Sequence, residues 1–263
     1  MEVRKTHIVA LSGGKDSTAL AIRLKELNPT THYIYVCTPT GDELPEMNNH
    51  WNNLEDILQQ PIIKLHHPEH HTIYDLIEHF QMLPNFRARW CTSILKLETI
   101  RYFYNIVKPA IVYVGLRADE LKRKGNKLFD DSIKQVFPMQ EWGWNKNNVW
   151  NYLNKKEITI PRRTDCAMCF YQRLDEWYSL WEQYPERFEK IEDLEFEIGH
   201  SLMSPGKHKN WGCWLFELRC AFEKGRMPRA VKKAKNQEKK LTLFKDVKEP
   251  FDYSQRGCRV CTL

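Results

Sequence analysis

The 263-residue sequence has no apolar run long enough to cross a bilayer. It also lacks the charged segment followed by an apolar stretch that opens a secretion signal. We therefore expect a cytoplasmic protein that makes no contact with a membrane. In that compartment its eight cysteines are expected to be free thiols or metal ligands rather than disulfides.

The net positive charge of the chain comes from one segment. The formal net charge is +6, yet residues 219–249 alone carry eleven Lys or Arg and four Asp or Glu, which leaves the rest of the chain near neutrality. A localised basic segment is typical of a protein that binds an anionic partner such as nucleic acid. A solvated surface helix and loop would have the same composition, and charge alone does not separate the two.

The sequence ALSGGKDSTALAIRL (residues 10–24) indicates a strand, a glycine turn and a helix. The β-branched run before the turn is typical of a buried strand, and the leucines after it recur at helical spacing until Asn28-Pro29. This order directs backbone N–H groups and the positive end of the helix dipole into the turn. The turn is therefore predicted to bind an anion, with glycines for close approach, a lysine charge and two hydroxyl donors: Ser12, Gly13, Gly14, Lys15 and Ser17.

Two common phosphate-binding motifs are absent from this turn. The pattern is not a Walker A loop, because the upstream glycine is missing and Asp16 follows Lys15. It is not GxGxxG either.

SGGKDS after a strand resembles the PP-loop of the ATP pyrophosphatases and adenine-nucleotide α-hydrolases. Further segments resemble the phosphoadenosine phosphosulfate (PAPS) reductase branch of that superfamily, from about residue 8 to residue 166, in the same order. These segments are TGDELPE after the second strand, WCTSILKLETI, GLRADE and a tryptophan-containing stretch before a helix. The resemblance implies a Rossmann-like, mostly parallel α/β sheet with helices on both faces, and a ligand at the carboxyl ends of the strands.

The resemblance also implies a set of site residues. The nucleotide would be bound by Ser12, Gly13, Gly14, Lys15, Asp16, Ser17, Thr40, Gly41, Asp42, Gly115 and Arg117, with Lys15, Asp16 and Arg117 as catalytic residues. Arg117 suits a phosphate or sulfate, and an ion pair with Asp119 or Glu120 is the weaker alternative. Asp16 would hold Lys15, help to place Mg²⁺ or cap the helix.

Two CxxC pairs, Cys166/Cys169 and Cys258/Cys261, form a tetrathiolate pattern, although their separation is longer than in a zinc ribbon. Four thiolates also hold iron–sulfur clusters. In the iron–sulfur branch of the resembled reductases, cysteines at the position of WCTSILK join a later CxxC, and Cys91 occupies that place. The ligands are therefore either Cys91, Cys166, Cys169 and one of the last pair, or both pairs; a cluster is preferred to Zn²⁺.

We expect a nucleotide-binding α/β domain over residues 1–161 and a helical, cysteine-bearing region over residues 162–263. The leading hypothesis is ATP-dependent adenylation coupled to sulfur transfer onto nucleic acid, with a sulfur-donor or reductant protein as a further partner. The second is reduction of PAPS or adenylyl sulfate to sulfite, although the chain ends GCRVCTL without the Glu-Cys-Gly nucleophile segment of those reductases. The third is a non-catalytic nucleotide-binding protein with a zinc-stapled tail.

Overall fold

The structure is a computed structural model that describes residues 5–120, 123, 131–206, 208, 210–235 and 246–247. Over these ranges, no helix has both the length and the apolar character needed to cross a membrane. The second CxxC pair and most of the basic segment beyond residue 235 lie outside the described residues.

Five parallel strands form the central sheet, in the order β3-β2-β1-β4-β5. The strands are β1 (Thr6–Ala10), β2 (Tyr33–Cys37), β3 (Ile62–Lys64), β4 (Ala110–Tyr113) and β5 (Ile133–Val136). Strand β1 pairs with β2 on one side, where Ile8 faces Ile34, and with β4 on the other, where Ile8 faces Val112. Two residues at β6 (Ile160–Pro161) pair antiparallel with β7 (Asp246–Val247).

Helices connect and follow the strands. They are α1 (Lys15–Leu27), α2 (Pro45–Leu58), α3 (Ile73–Phe80), α4 (Trp90–Thr92), α5 (Thr99–Val107), α6 (Pro138–Glu141), α7 (Lys146–Lys155), α8 (Leu174–Gln183), α9 (Pro185–Ile198), α10 (Leu215–Glu223) and α11 (Arg229–Lys235). A π-helical segment, Ser93–Glu98, joins α4 to α5. Such segments are rare and are frequent at functional sites.

The alternation of side chains along the strands covers both faces of the sheet with helices. On β1, Val9 packs into a core that contains residues of α1, α2 and α7, whereas Ile8 packs into a second core with Tyr104 of α5. The Rossmann-like α/β fold with helices on both faces is thereby confirmed.

The region after the sheet is helical, as predicted, and its helices share a core with the first half of the chain. Trp177 of α8 and Ile191 of α9 belong to the same buried cluster as Leu76 of α3 and Leu95 of the π-helical segment. This packing brings the first CxxC pair against the carboxyl side of the sheet, close to the loop after β2. The boundary at residue 161 stays a prediction.

Candidate active site

The glycine turn between β1 and α1 is built to receive an anion. Gly14 is the N-cap of α1, and since it has no side chain it cannot cap the first turn of the helix. Ser17 fixes the turn: its hydroxyl accepts the N–H of Gly13 at 3.1 Å and donates to the Gly14 carbonyl at 3.1 Å. The uncapped N-terminus of a 13-residue helix favours negative charge at this position.

Two glycines allow other elements to approach this loop closely. Gly13 has φ of +82°, in the left-handed region. A Cβ on Gly115, which follows β4, would lie 3.1 Å from the backbone nitrogen of Ser17. Strands β2 and β3 lie on one side of β1, and the later strands β4 and β5 lie on the other. The loop after β1 therefore lies at the switch point, where open α/β sheets bind their ligands.

A cleft of about 1150 Å³ opens at this switch point. Of the predicted nucleotide-binding residues, its lining contains Ser12, Gly14, Asp16, Ser17 and Gly115. The lining also contains residues that were not among the predicted site residues: Cys37, Glu43, Trp51, Thr92, Lys96, Arg123, Thr164 and Asp165. Cys37 ends β2, and burial raises the pKa of its thiol to about 12, so it is a neutral part of the wall.

Asp16 is the centre of the charge network beside the loop. Its Oδ2 lies 3.0 Å from Lys15 Nζ and 2.8 Å from Arg117 Nη1. Arg117 Nε also donates to Asp119 Oδ1 at 2.8 Å, so the ion pair that the sequence ranked as the weaker alternative is present. Burial opposes the charge of Arg117, but Asp16, Asp119 and Glu120 outweigh that effect and raise its pKa.

This network assigns distinct positions to the three predicted catalytic residues. Asp16 was predicted to hold Lys15, to help place Mg²⁺ or to cap α1. In the structure Asp16 contacts Lys15, and no side chain caps α1. The second carboxylate oxygen, Oδ1, is buried and has no hydrogen-bond partner within the described chain. An orphaned carboxylate oxygen next to the glycine turn is a chemically suitable ligand for Mg²⁺.

In the loop after β2, the predicted residues Thr40, Gly41 and Asp42 are not among those that line the cleft. Glu43 holds the loop, because its carboxylate accepts the backbone N–H groups of Thr40 at 2.6 Å and Gly41 at 3.0 Å. Asp42 is buried and supports the first CxxC segment: Oδ2 accepts the N–H of Met168 at 2.8 Å, and Oδ1 accepts the Tyr74 hydroxyl at 2.7 Å. Glu43, rather than Asp42, lines the cleft.

Three of the predicted metal ligands line a second, smaller cavity, here called the thiol cavity. Cys91, Cys166 and Cys169 line this space together with Thr40, Met168 and Phe170. Cys169 is buried, and the other two are half-buried. Across the ranges that the structure describes, no three His, Cys, Asp or Glu side chains are arranged to hold a metal ion. The positions of Cys258 and Cys261 lie outside the described residues.

The two thiols of the CxxC pair differ in acidity. The hydrogen bond between them lowers the pKa of Cys169 and raises that of Cys166 well above its usual value. Arg163 adds to the effect on Cys169 and donates to the Cys166 carbonyl at 2.7 Å. Burial raises the pKa of Cys91. The pair is therefore predisposed to carry one thiolate, the form that binds metals and acts as a nucleophile.

The cleft and the thiol cavity share a wall. Two residues line both spaces: Thr92, the last residue of α4, and Lys96, in the π-helical segment. On the opposite side, Thr164 and Asp165 line the cleft, and the next residue, Cys166, lines the thiol cavity. An anion bound at the glycine turn and a group bound by the thiols would thus lie in neighbouring compartments.

The described part of the basic segment has internal partners. Arg219 forms hydrogen bonds to Glu192 at 2.9 and 3.2 Å and to Glu223 at 3.0 Å. The guanidinium of Arg226 stacks on Trp211 at 3.9 Å. A nucleic-acid contact through this segment remains a prediction.

The chain thus forms an α/β domain with a glycine turn at the switch point of a parallel sheet. Residues 6–166 match the family model described as the phosphoadenosine phosphosulfate reductase domain. This match covers more than half of the chain, and the protein belongs to that family.

More distant relatives were found among curated proteins and solved structures. An uncharacterized protein of Methanocaldococcus jannaschii is 21% identical over 204 residues, which cover 73% of this chain and 48% of that protein. The chain therefore spans about half the length of this relative. A phosphoadenylyl-sulfate reductase from Candida auris, in a phosphate complex, is 13% identical with a TM-score of 0.46, over 60% of this chain and 76% of that one. The U34-tRNA thiolase NcsA from Methanococcus maripaludis with its 4Fe-4S cluster is 15% identical with a TM-score of 0.46, over 79% and 77%.

Proposed function

We propose that this protein is a PP-loop enzyme that cleaves an adenine nucleotide at its α-phosphate and couples that cleavage to sulfur transfer onto a nucleic acid. The observation that carries the proposal is the wall shared by the anion-binding cleft and the thiol cavity. A nucleotide site alone would need no thiols beside it. Sulfur chemistry needs both an activated substrate and thiols close by.

In the first step, an oxygen of the acceptor attacks the α-phosphorus of ATP and pyrophosphate leaves. The amides of the glycine turn and the N-terminus of α1 stabilise negative charge on the departing pyrophosphate. Lys15 adds a positive charge, and Asp16 holds Lys15 and offers its orphaned Oδ1 to Mg²⁺. Arg117 forms an ion pair with Asp16 and so holds its carboxylate in place. A sulfur nucleophile supplied by a donor then displaces AMP from the acceptor.

We prefer an iron–sulfur cluster to a single zinc ion as the group held in the thiol cavity. Three described cysteines line this one space, and clusters are commonly held by four cysteine thiolates. Cys91, Cys166 and Cys169 would be three ligands, and Cys258 or Cys261 would be the fourth. A bound cluster would supply a site for sulfur or electron transfer.

Reduction of PAPS or adenylyl sulfate to sulfite is the second candidate. The family match favours it, and the low pKa of Cys169 relative to Cys166 would suit a thiol that attacks sulfur. In that reaction the turn would hold the phosphosulfate end of the substrate instead of the pyrophosphate of ATP.

Product analysis on protein purified without oxygen separates the two candidates. One sample receives ATP, Mg²⁺, sulfide and total cellular RNA, and a parallel sample receives PAPS and dithiothreitol. We expect AMP and pyrophosphate from the first sample, with activity reduced at least about 100-fold in Lys15→Ala. Arg23→Ala, on the solvent side of α1, is the matched control and should keep its activity. Sulfite from PAPS without AMP from ATP would replace the proposal by the second candidate.

A further inference from the structure

Trp51 is a cleft residue that no phosphate-binding motif of the sequence includes. It lies on α2, in the middle of the helix, with a side chain that is 4% exposed. The ring packs in the same apolar core as Val9 and Leu20, and it lines the cleft beside the glycine turn. Packing in the apolar core accounts for the aromatic ring, but it does not account for the polar N–H group at the edge of the ring.

The indole N–H of Trp51 is buried and has no hydrogen-bond partner within the described chain. It is directed at the glycine turn, since a Cβ added to Gly13 would lie 2.8 Å from Nε1 and 3.3 Å from Cδ1. A donor that is removed from water without a partner destabilises the protein, and native structures rarely leave one unsatisfied. The indole N–H can only donate, so its missing partner is an acceptor.

Positive charge near the ring favours an anionic acceptor. Lys64 Nζ lies 5.8 Å from the centre of the Trp51 ring, over its face. Gly13, in the turn, is on the side of the N–H edge. An acceptor in the turn would thus meet the N-terminus of α1 and the indole together.

We propose that Trp51 Nε1 donates a hydrogen bond to a phosphoryl oxygen of the ligand held in the glycine turn. The inference rests on the proposed function only in placing a phosphorylated ligand there. It makes Trp51 a binding residue for the pyrophosphate end of ATP, or for the phosphosulfate end of PAPS, which presents the same oxygens. Gly13 is then required for two reasons: its positive φ, and the space that Met47 and the indole edge occupy beside it.

The chain offers a matched control. Trp150, on α7, is buried in the same apolar core, and its indole N–H also has no partner within the described residues. Trp150 is not among the residues that line the cleft. A change from Trp to Phe removes the same N–H and the same part of the ring at both positions, so packing losses are comparable.

The test has two independent readouts. In protein labelled with ¹⁵N-tryptophan, Mg²⁺-pyrophosphate is titrated and the Trp51 indole resonance, assigned through its contacts with Gly13 and Met47, is followed. We expect this resonance to shift downfield at saturation while that of Trp150 stays in place. Calorimetry with Mg²⁺-ATP should show affinity weakened about tenfold in Trp51→Phe, as for loss of a hydrogen bond to a charged group, and within twofold of wild type in Trp150→Phe.

The outcomes separate the two proposals. If wild type binds neither pyrophosphate nor ATP, the proposed function fails, and this inference fails with it. If wild type binds but the Trp51 resonance does not move and Trp51→Phe binds equally well, the nucleotide site stands and the role of Trp51 is refuted. The wild-type titration decides the matter even if Trp51→Phe does not fold.

Discussion

Replacement of Arg117 by alanine should destabilise the protein and loosen the glycine turn. The Arg117 side chain is 5% exposed and joins Asp16 at 2.8 Å to Asp119 at 2.8 Å. Its removal leaves Asp16, 13% exposed, with Lys15 as its ion partner. Asp119 is 41% exposed and can be rehydrated, so most of the cost arises at Asp16. For a buried pair broken on one side we expect the free energy of unfolding to fall by about 3 kcal/mol.

Arg117→Lys separates charge from geometry. A lysine keeps the positive charge but cannot bond Asp16 and Asp119 from two fixed nitrogens, so it should recover less than half of the lost stability. Urea unfolding at pH 7 measures both variants against wild type, and calorimetry measures their affinity for Mg²⁺-ATP. The reasoning is refuted if Arg117→Ala unfolds within about 0.5 kcal/mol of wild type, or if Arg117→Lys is indistinguishable from wild type.

Three further predictions follow from buried or charged groups. Asp42→Ala leaves the N–H of Met168 and the hydroxyl of Tyr74 without their acceptor. The free energy of unfolding in urea should therefore fall by about 2–3 kcal/mol. Asp56→Ala, on the exposed side of α2, is the control and should leave stability unchanged. Burial raises the pKa of Glu195 to about 7, so its contribution to stability is complete below the unfolded pKa and is lost as pH rises from about 4.5 to about 7; Glu195→Gln should flatten that part of the stability profile. Partial burial would raise the pKa of Asp119, but Arg117 and backbone amides outweigh it and lower that pKa. The stability that Asp119 contributes is therefore present above the ordinary carboxylate pKa and is lost as pH falls below it. Arg117→Ala should reduce this loss of stability in acid.

The sequence predicted β1, the glycine turn and α1 because their signals are local, whereas the parallel sheet was predicted from the family resemblance. A β-branched run, two glycines and leucines at helical spacing define β1, the turn and α1 within 22 residues. The same locality limits what could be predicted of the loop after β2. Asp42 lies in a segment similar to a nucleotide-binding loop, but its carboxylate meets Met168, which is 126 residues away. A long-range contact of this kind leaves no periodic or spacing signal.

The choice between the two cysteine sets also depends on tertiary packing. Spacing alone favoured neither set. The structure places Cys91 in the same cavity as Cys166 and Cys169, because residues 90–95 and the chain from residue 167 pack in one core. Trp51 could not be found from motifs, since it enters the cleft from a helix whose pattern reflects packing. Whether an indole N–H has a hydrogen-bond partner cannot be predicted from the sequence, because it depends on neighbours that only the fold brings together.

Iron and sulfide content tests the central claim, that the thiols beside the nucleotide cleft hold a cluster, most directly. Protein purified without oxygen is compared as wild type, Cys91→Ala, Cys166→Ala and Cys213→Ala, the last being a half-buried cysteine that does not line the thiol cavity. The account predicts about four iron and four sulfide per chain with broad visible absorption in wild type and in Cys213→Ala, and loss of both in the other two. Colourless protein that contains zinc, or a cluster that survives Cys91→Ala intact, would contradict it.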